Sequence, residues 1–313
     1  MTRLGVGVIG LGEVAQIIHL PILQQLSERY RIAAICDISP TLLDAMGFRY
    51  GVPADARHLD FHDLVARDDV DVVFVLNSDE YHAECAIAAA TAGKHVLIEK
   101  PMALTDAEAE GIIRARDAAG VQVMVGYMRR FAPAFVRAVE EVKALEKITY
   151  VRVRDIIGQN RLFIEQSTNV VRPNDFTPEQ AADRRARGAA AVREAIGDAA
   201  EQFGGTYRWL CGLSSHDLSA MRELIGVPQR VISATRAPRD GFMVIVFQYD
   251  GFTAILETGG NLIPRFDAHL EVYSPKTSIR IDYDSGYIRH LPTTLTIVTT
   301  DGVSLEEQVI RPT

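Results

Sequence analysis

Over the first 127 residues the chain alternates between two hydrophobic patterns. Short β-branched apolar runs occur at residues 4–10, 31–37, 71–77, 95–99 and 121–127. Between them lie stretches with apolar residues at helical spacing: 13–30, 39–50, 59–67, 80–93 and 106–120. A near-continuous apolar strand such as DVVFVLN is what a parallel sheet covered on both faces requires. Strand and helix in strict alternation predict a doubly wound α/β domain. Gly93 and Gly120 stand where helix C-caps belong, just before the next strand.

From residue 128 the pattern changes. Residues 131–145 carry apolar side chains on one helical face, 148–157 reads as a long strand, and 177–203 and 207–225 read as helices. From Val231 onward, strands of about eight residues are separated by DG, GG, SPK and DSG turn signals. Successive strands without helices between them predict an antiparallel sheet. The expected division is a dinucleotide-binding domain over 1–127 and an α+β substrate and oligomerisation domain over 128–313.

Composition narrows the class. A chain of 313 residues with 48% apolar and 24% charged residues is long enough for a true core in each of two domains. Its net charge of −8 argues against a nucleic-acid partner. Cys36, Cys85 and Cys211 are odd in number and lack metal-ligand spacing, so neither a disulfide framework nor a metal site is expected, and a reducing, cytoplasmic setting is. No stretch is long and apolar enough to predict a membrane span. Residues 4–12 resemble a weak signal peptide, but Glu13 interrupts the run and no small-residue cleavage site follows.

The sharpest chemical signal is GVIGLGEVA, which sets Gly10, Gly12 and Ala15 directly after a strand and at the opening of a helix. Gly10 permits the tight turn, Gly12 lets backbone approach a pyrophosphate, and Ala15 keeps helix and strand close. Alone, such glycines are often only turn chemistry. The second strand adds weight by ending at Asp37, 27 residues after Gly10, somewhat beyond the usual spacing of about 20. A carboxylate there accepts hydrogen bonds from a ribose diol and repels a 2′-phosphate. The following Ile38 offers no guanidinium, so NAD is favoured over NADP. The competing reading of Asp37 is a helix N-cap, a task open also to Ser39.

These segments, with DVVFVLNSDEYHAECAIAAATAGKHVLIEKP and VMVGYMRRFAP, resemble the glucose–fructose oxidoreductase, inositol dehydrogenase and MocA-type family across most of the N-terminal domain. GKHVLIEKP is the most specific part. The resemblance implies a nicotinamide-dependent oxidoreductase acting on a carbinol carbon of a sugar, cyclitol or derivative, with a C-terminal domain built on a large open antiparallel sheet. It implies that Leu11, Glu13, Val14, Asn77, His82 and Glu99 line the cofactor groove with the residues above, that Lys100 is catalytic beside the nicotinamide, and that the Lys100–Pro101 bond is cis. Tyr127 and Arg130, from the GYMRRF-P segment, would face substrate. It further implies an apolar sheet face that forms a homodimer or homotetramer, and a helix after the final strands, where this chain stops at EEQVIRPT.

Alcohol oxidation requires a base for the hydroxyl proton, and an amine near a cationic ring in a partly dry pocket is a suitable one. The family pattern breaks in the helix that carries its catalytic histidine. In WLCGLSSHDLSAM, His216 is present, but Gly212 stands four residues earlier in place of aspartate and Ser219 three residues later. Asp217 is adjacent in sequence and so points about 100° away on a helix. Three roles follow for His216: general acid/base oriented by another group such as Tyr207, substrate ligand while Lys100 moves the proton, or a relic in a chain that binds cofactor without turnover. The alternatives to a dehydrogenase are a lyase- or glycosidase-like enzyme with transient oxidation and a nicotinamide-binding regulator. Arg184, Arg185 and Arg187 read as a solvated helix face.

Overall fold

The structure is a computed structural model that describes residues 3–237, 241–288 and 291–311. It falls into two compact units, Met1–Gly126 with Thr168–Gly212, and Tyr127–Ser167 with Leu213–Thr313. A single boundary after residue 127 therefore misses one event: residues 168–212 pack with the N-terminal unit, through contacts too distant in sequence to leave a periodic trace.

In the first unit, β1 (Leu4–Ile9), β2 (Tyr30–Cys36), β3 (Arg57–His58), β4 (Val72–Val75), β5 (His95–Ile98) and β6 (Val123–Val125) form one sheet. The order is β3-β2-β1-β4-β5-β6 and every pairing is parallel. Val6, Val8, Ala34, Ile35, Val73 and Val75 are almost wholly buried, as a sheet covered on both faces demands. Around it lie α1 (Leu20–Gln25), α2 (Pro40–Tyr50), α3 (Phe61–Val65), α4 (His82–Thr91) and α5 (Asp106–Ala119).

Local chemistry sets their ends. Ser39 caps α2 by accepting from the Leu42 N–H, with Pro40 at the first helical position. Thr105 and Glu108 form a capping box on α5, which ends at left-handed Gly120. The expected long first helix is shorter and irregular. Residues Ala15–His19 wind as a π-turn before α1, because Pro21 has no N–H to continue an α-helical ladder. The third strand, only two residues long, carries no readable period.

The returning segment continues into α8 (Pro178–Ile196) and α9 (Ala200–Trp209), which follow α6 (Pro133–Lys143) and α7 (Arg161–Ser167) of the second unit. The continuous helix expected over 177–203 breaks at Gly197, where the chain turns at a positive φ of 56°. Arg187 of α8 pairs with Glu84 and Asp183 and lies over the Tyr81 ring, so the basic cluster is partly used to dock the helix.

The second unit is an eight-stranded sheet of β7 (Tyr150–Ile157), β8 (Arg230–Arg236), β9 (Met243–Gln248), β10 (Thr253–Gly260), β11 (Phe266–Tyr273), β12 (Thr277–Tyr283), β13 (Thr294–Thr300) and β14 (Leu305–Ile310). The order is β14-β13-β12-β11-β7-β10-β9-β8, antiparallel except for β7 with β10. Val151, Val153, Leu256, Leu270 and Ile281 share the face covered by α6 and α10 (Ser215–Ile225). Each such side chain contributes about 1.5–3 kcal/mol by leaving water. The opposite face is not the apolar surface expected. Arg152 pairs with Glu257, Arg154 with Asp267, and Arg280 with Glu271 and Asp282, so alternate positions of four central strands form a charge ladder. No helix among the described residues is long and apolar enough to cross a membrane.

Candidate functional site

Ligands of open α/β sheets bind outside the carboxyl ends of the strands, near the point where strand order reverses. In this sheet that point lies between β1 and β4, and Gly10, Asp37, Asn77 and Lys100 all stand at such strand ends.

Gly10 has φ +91°, and a Cβ there would sit 2.5 Å from the Asn77 backbone nitrogen. Only glycine fits. Gly12 differs: a Cβ there meets nothing within 4 Å, so open space lies over the backbone where a pyrophosphate would approach. Buried Leu11 donates its N–H to Asp37 Oδ2 at 2.7 Å, and Val14 already has helical angles. Glu13 is paired with Arg172 at 3.2 Å.

Asp37 also accepts from the Ser39 N–H at 2.9 Å, whereas Ser39 takes the N-cap role. The two tasks left open by the sequence are thus divided between the two residues. Burial pushes the Asp37 carboxyl up and the negative charge of Asp175 adds to this, against the pull of the two N–H groups. Ile38 is half exposed.

Asn77 donates from Nδ2 to Cys85 Sγ at 3.3 Å, while its buried Oδ1 has no hydrogen-bond partner among the described residues. An orphaned oxygen at a strand end, beside a cradle that a methyl group would fill, fits a bound dinucleotide. His82 departs from the expected lining role. It is 1% exposed, with Nδ1 2.7 Å from the Pro101 carbonyl and Nε2 3.0 Å from the Asn77 carbonyl. Each ring nitrogen faces a main-chain carbonyl, and each tautomer of the ring donates to one of the two, so this side chain fills the space between the β4 end and the turn after β5.

The EKP turn is cis at Lys100–Pro101. Glu99 is held by two groups: His19 Nε2 lies 2.8 Å from Oε1, and the Lys100 N–H donates to Oε2 at 3.0 Å. Burial works against ionisation of Glu99, but the hydrogen bond and charge of His19, with the Lys100 N–H, outweigh it and hold the carboxyl below its usual range. His19 left no sequence signal beyond one polar position in the first helix.

Lys100 Nζ donates to the Gly212 carbonyl oxygen at 2.7 Å. Gly212 lies in a second π-turn, Leu210–Ser214. Windings of this kind recur at functional sites. Gly212, where the resemblance leads to the expectation of an aspartate, thus supplies a main-chain acceptor to the lysine. The Tyr207 hydroxyl donates to the Leu104 carbonyl, and burial raises its pKa to about 12.

In the second unit, His216 is 8% exposed at the start of α10, with the Tyr127 ring edge-on at a centroid distance of 6.1 Å. Ser214 Oγ, 2.9 Å from Thr258 Oγ1, ties this helix start to β10. Of the two arginines after Tyr127, the one expected to face substrate is Arg130. Arg130 ion-pairs with Glu223 of α10, and its Nη1 is 3.5 Å from Ser219 Oγ, so helix docking rather than an open ligand-facing guanidinium describes it. Arg129 is buried. It ion-pairs with Asp217 and, at 3.1 Å, with Asp155, its guanidinium carbon 5.4 Å and 5.2 Å from the Phe266 and Tyr283 ring centroids. Burial drives the Asp217 carboxyl well above its usual value; Arg129 opposes this and Asp155 reinforces it. Nothing in the doublet RR distinguishes the inward arginine from the outward one.

Comparison with known proteins bears on both halves. Residues 4–127 match the Gfo/Idh/MocA family, described as an oxidoreductase family with an NAD-binding Rossmann fold. The inositol 2-dehydrogenase of Salmonella paratyphi B is 35% identical over 132 residues, 42% of this chain and 39% of that enzyme. The chain thus matches about two fifths of that relative's length. Two solved structures are similar in fold over the whole chain. A levoglucosan dehydrogenase in complex with NADH and levoglucosan has a TM-score of 0.73 at 19% identity, covering 99% of this chain and 80% of that one. The aldose-aldose oxidoreductase from Caulobacter crescentus complexed with glycerol has 0.70 at 24% identity, covering 100% and 85%. Over residues 4–127 the chain is similar to the Rossmann domain of that oxidoreductase family, and over its whole length it shares the fold of these two structures.

Proposed function

We propose that the protein is an NAD-dependent dehydrogenase or reductase acting on the CH–OH group of a sugar, cyclitol or related polyol, with NAD used in preference to NADP. One observation carries the reading: three groups suited to a dinucleotide stand at the strand ends of one sheet. They are the open space over Gly12, the Asp37 carboxylate at β2, and the Lys100 ammonium at β5, held by a neutral carbonyl. The substrate class rests on the relatives, among them inositol and levoglucosan dehydrogenases.

Gly10, Gly12 and the first turn after them would hold the pyrophosphate, Asp37 the adenosine ribose diol, and Asn77 Oδ1 the nicotinamide half. The bound nicotinamide supplies the hydride acceptor or donor. Lys100 Nζ, once it has given up its own proton, takes the substrate hydroxyl proton during oxidation, and the ammonium returns it during reduction. The Gly212 carbonyl fixes the direction in which Nζ points. The Glu99–His19 pair fixes the backbone of the same turn through the Lys100 N–H. His216 is assigned a second proton-handling or substrate-holding role, with Tyr127 packed against its ring.

The test is Lys100→Met in the full chain, assayed for NADH formation against a polyol panel that includes inositol and levoglucosan. Turnover is expected to fall by about 10²–10⁴-fold, with NADH affinity within a few-fold of wild type. Unchanged rates would remove Lys100 from the chemistry, and absence of nicotinamide binding by the wild type would end the reading.

A further inference from the structure

The segment at 168–176 crosses the cofactor half of the first unit as a strap with three attachments. Gln16 Oε1 accepts from the Val171 N–H at 2.8 Å, and Gln16 Nε2 donates to the Val171 carbonyl at 3.0 Å and to the Leu11 carbonyl at 2.8 Å. Arg172 pairs with Glu13. Asp175 then accepts from the Ser39 hydroxyl at 2.7 Å and from the Thr41 N–H at 2.9 Å. Val170 is buried and Val171 packs against the core of the unit, so the strap is a built element.

Its end point matters because of what a 2′-phosphate requires. On the reading above, the adenosine ribose diol meets Asp37. A phosphate on the 2′-oxygen would therefore project toward the residues just after β2, which are Ile38, Ser39 and the first turn of α2. The donors there suited to a dianion are the Ser39 hydroxyl and the N–H groups of that turn. Ser39 Oγ already accepts from the Leu42 N–H, and Asp175 takes both the Ser39 hydroxyl hydrogen and the Thr41 N–H. The carboxyl of Asp175 is held down at about 2, first by the Ser39 hydroxyl and next by the Thr41 N–H, so it is ionised at neutral pH. Its charge reaches Asp37, whose carboxyl it helps to push up. The strap's own cation, Arg172, is turned to Glu13.

We propose that Asp175 is a second specificity-determining residue for the cofactor: it occupies the donors that a ribose 2′-phosphate would need and sets a second carboxylate beside Asp37, so that NAD is accepted and NADP refused. This rests on the assignment of Asp37 to the ribose diol. Neutral hydroxyls tolerate a nearby carboxylate and hydrogen-bond to it, whereas a phosphate dianion is repelled by both and loses its donors.

The experiment is a titration of the full chain with NADH and NADPH, followed by nicotinamide fluorescence, for wild type, Asp175→Asn and Asp175→Ser. Asparagine keeps the shape and an acceptor oxygen but removes the charge; serine also vacates space and guards against a folding defect specific to the first variant. Wild type is expected to bind NADPH at least tenfold more weakly than NADH. Both variants should tighten NADPH at least tenfold while leaving NADH within threefold, and added salt should narrow the wild-type gap. An unmoved NADPH/NADH ratio in variants that bind NADH would overturn the role of Asp175 and leave the cofactor site standing. Equal weakening of both cofactors would make Asp175 a brace for α2 and also overturn it. Failure of wild type to bind either dinucleotide would overturn both readings together.

Discussion

Replacing Arg129 with Met tests whether its buried ion pairs hold the second unit together. Arg129, Asp155 and Asp217 have side chains 3%, 0% and 0% exposed. Methionine preserves much of the stem's packing but leaves two carboxylates without their cation. Breaking a buried pair by removing one partner costs about 3–5 kcal/mol. A second route gives a similar bound. A carboxylate can escape its buried charge by taking a proton, which at pH 7 costs about 1.4 kcal/mol for each unit its pKa lies below 7, or about 4 kcal/mol at the ordinary value. Asp217 is already raised and costs less. A net loss of about 3–5 kcal/mol is therefore expected, read as a shift of the urea midpoint by circular dichroism.

The loss also has a pH signature. Without the guanidinium, the Asp217 carboxyl, already raised by burial, rises further above its unfolded value, so the folded state binds more protons between the two. Stability then increases as pH falls from neutral through the folded pKa toward the unfolded value. The deficit of the variant against wild type should shrink between pH 7.5 and 5.5, and Asp217→Asn added to Arg129→Met should recover at least half of it. A loss below about 1 kcal/mol, or a deficit constant across that range, would refute the reasoning.

Two further substitutions separate folding from cofactor binding. Gly12→Ala enters open space, so unfolding should move by no more than about 0.5 kcal/mol while NADH affinity drops at least tenfold; Gly10→Ala, at φ +91° and against the Asn77 backbone, should lose at least about 2 kcal/mol of stability as well. Equal stability of the two variants would contradict the geometry. Asp37→Ala should weaken NADH more than NADPH, and an equal loss of both in parallel titrations would contradict the ribose assignment.

Much of the first unit was legible because its signals are local. β-Branched runs mark β1, β2 and β4, Thr105 and Gly120 punctuate α5, and Gly10 and Gly12 announce the turn between strand and helix. The strap was not legible. Val171 meets Gln16 across 155 residues, and Asp175 meets Ser39 across 136, with no periodicity to mark either meeting. Arg129 and Arg130 are chemically identical neighbours, and only tertiary packing sends one inward to Asp155 and Asp217. His82 misled for the opposite reason. The resemblance alone put it in the cofactor groove, yet here its buried ring lies between two main-chain carbonyls. The charge ladder on β7, β10, β11 and β12 was visible as alternating Arg, Glu and Asp, but which alternate face lies away from the helices depends on register, which single strands do not encode.

The acceptor for Lys100 is an atom that every residue type possesses. No single codon change at position 212 can delete it, and an inventory of side chains will always score this lysine as missing its companion. What can remove the contact is a change of winding. An insertion, a deletion or a bound molecule that restores ordinary α pitch between Leu210 and Ser214 would swing the oxygen away from the ammonium. This contact is therefore insulated from substitution and answerable to the conformation of five residues.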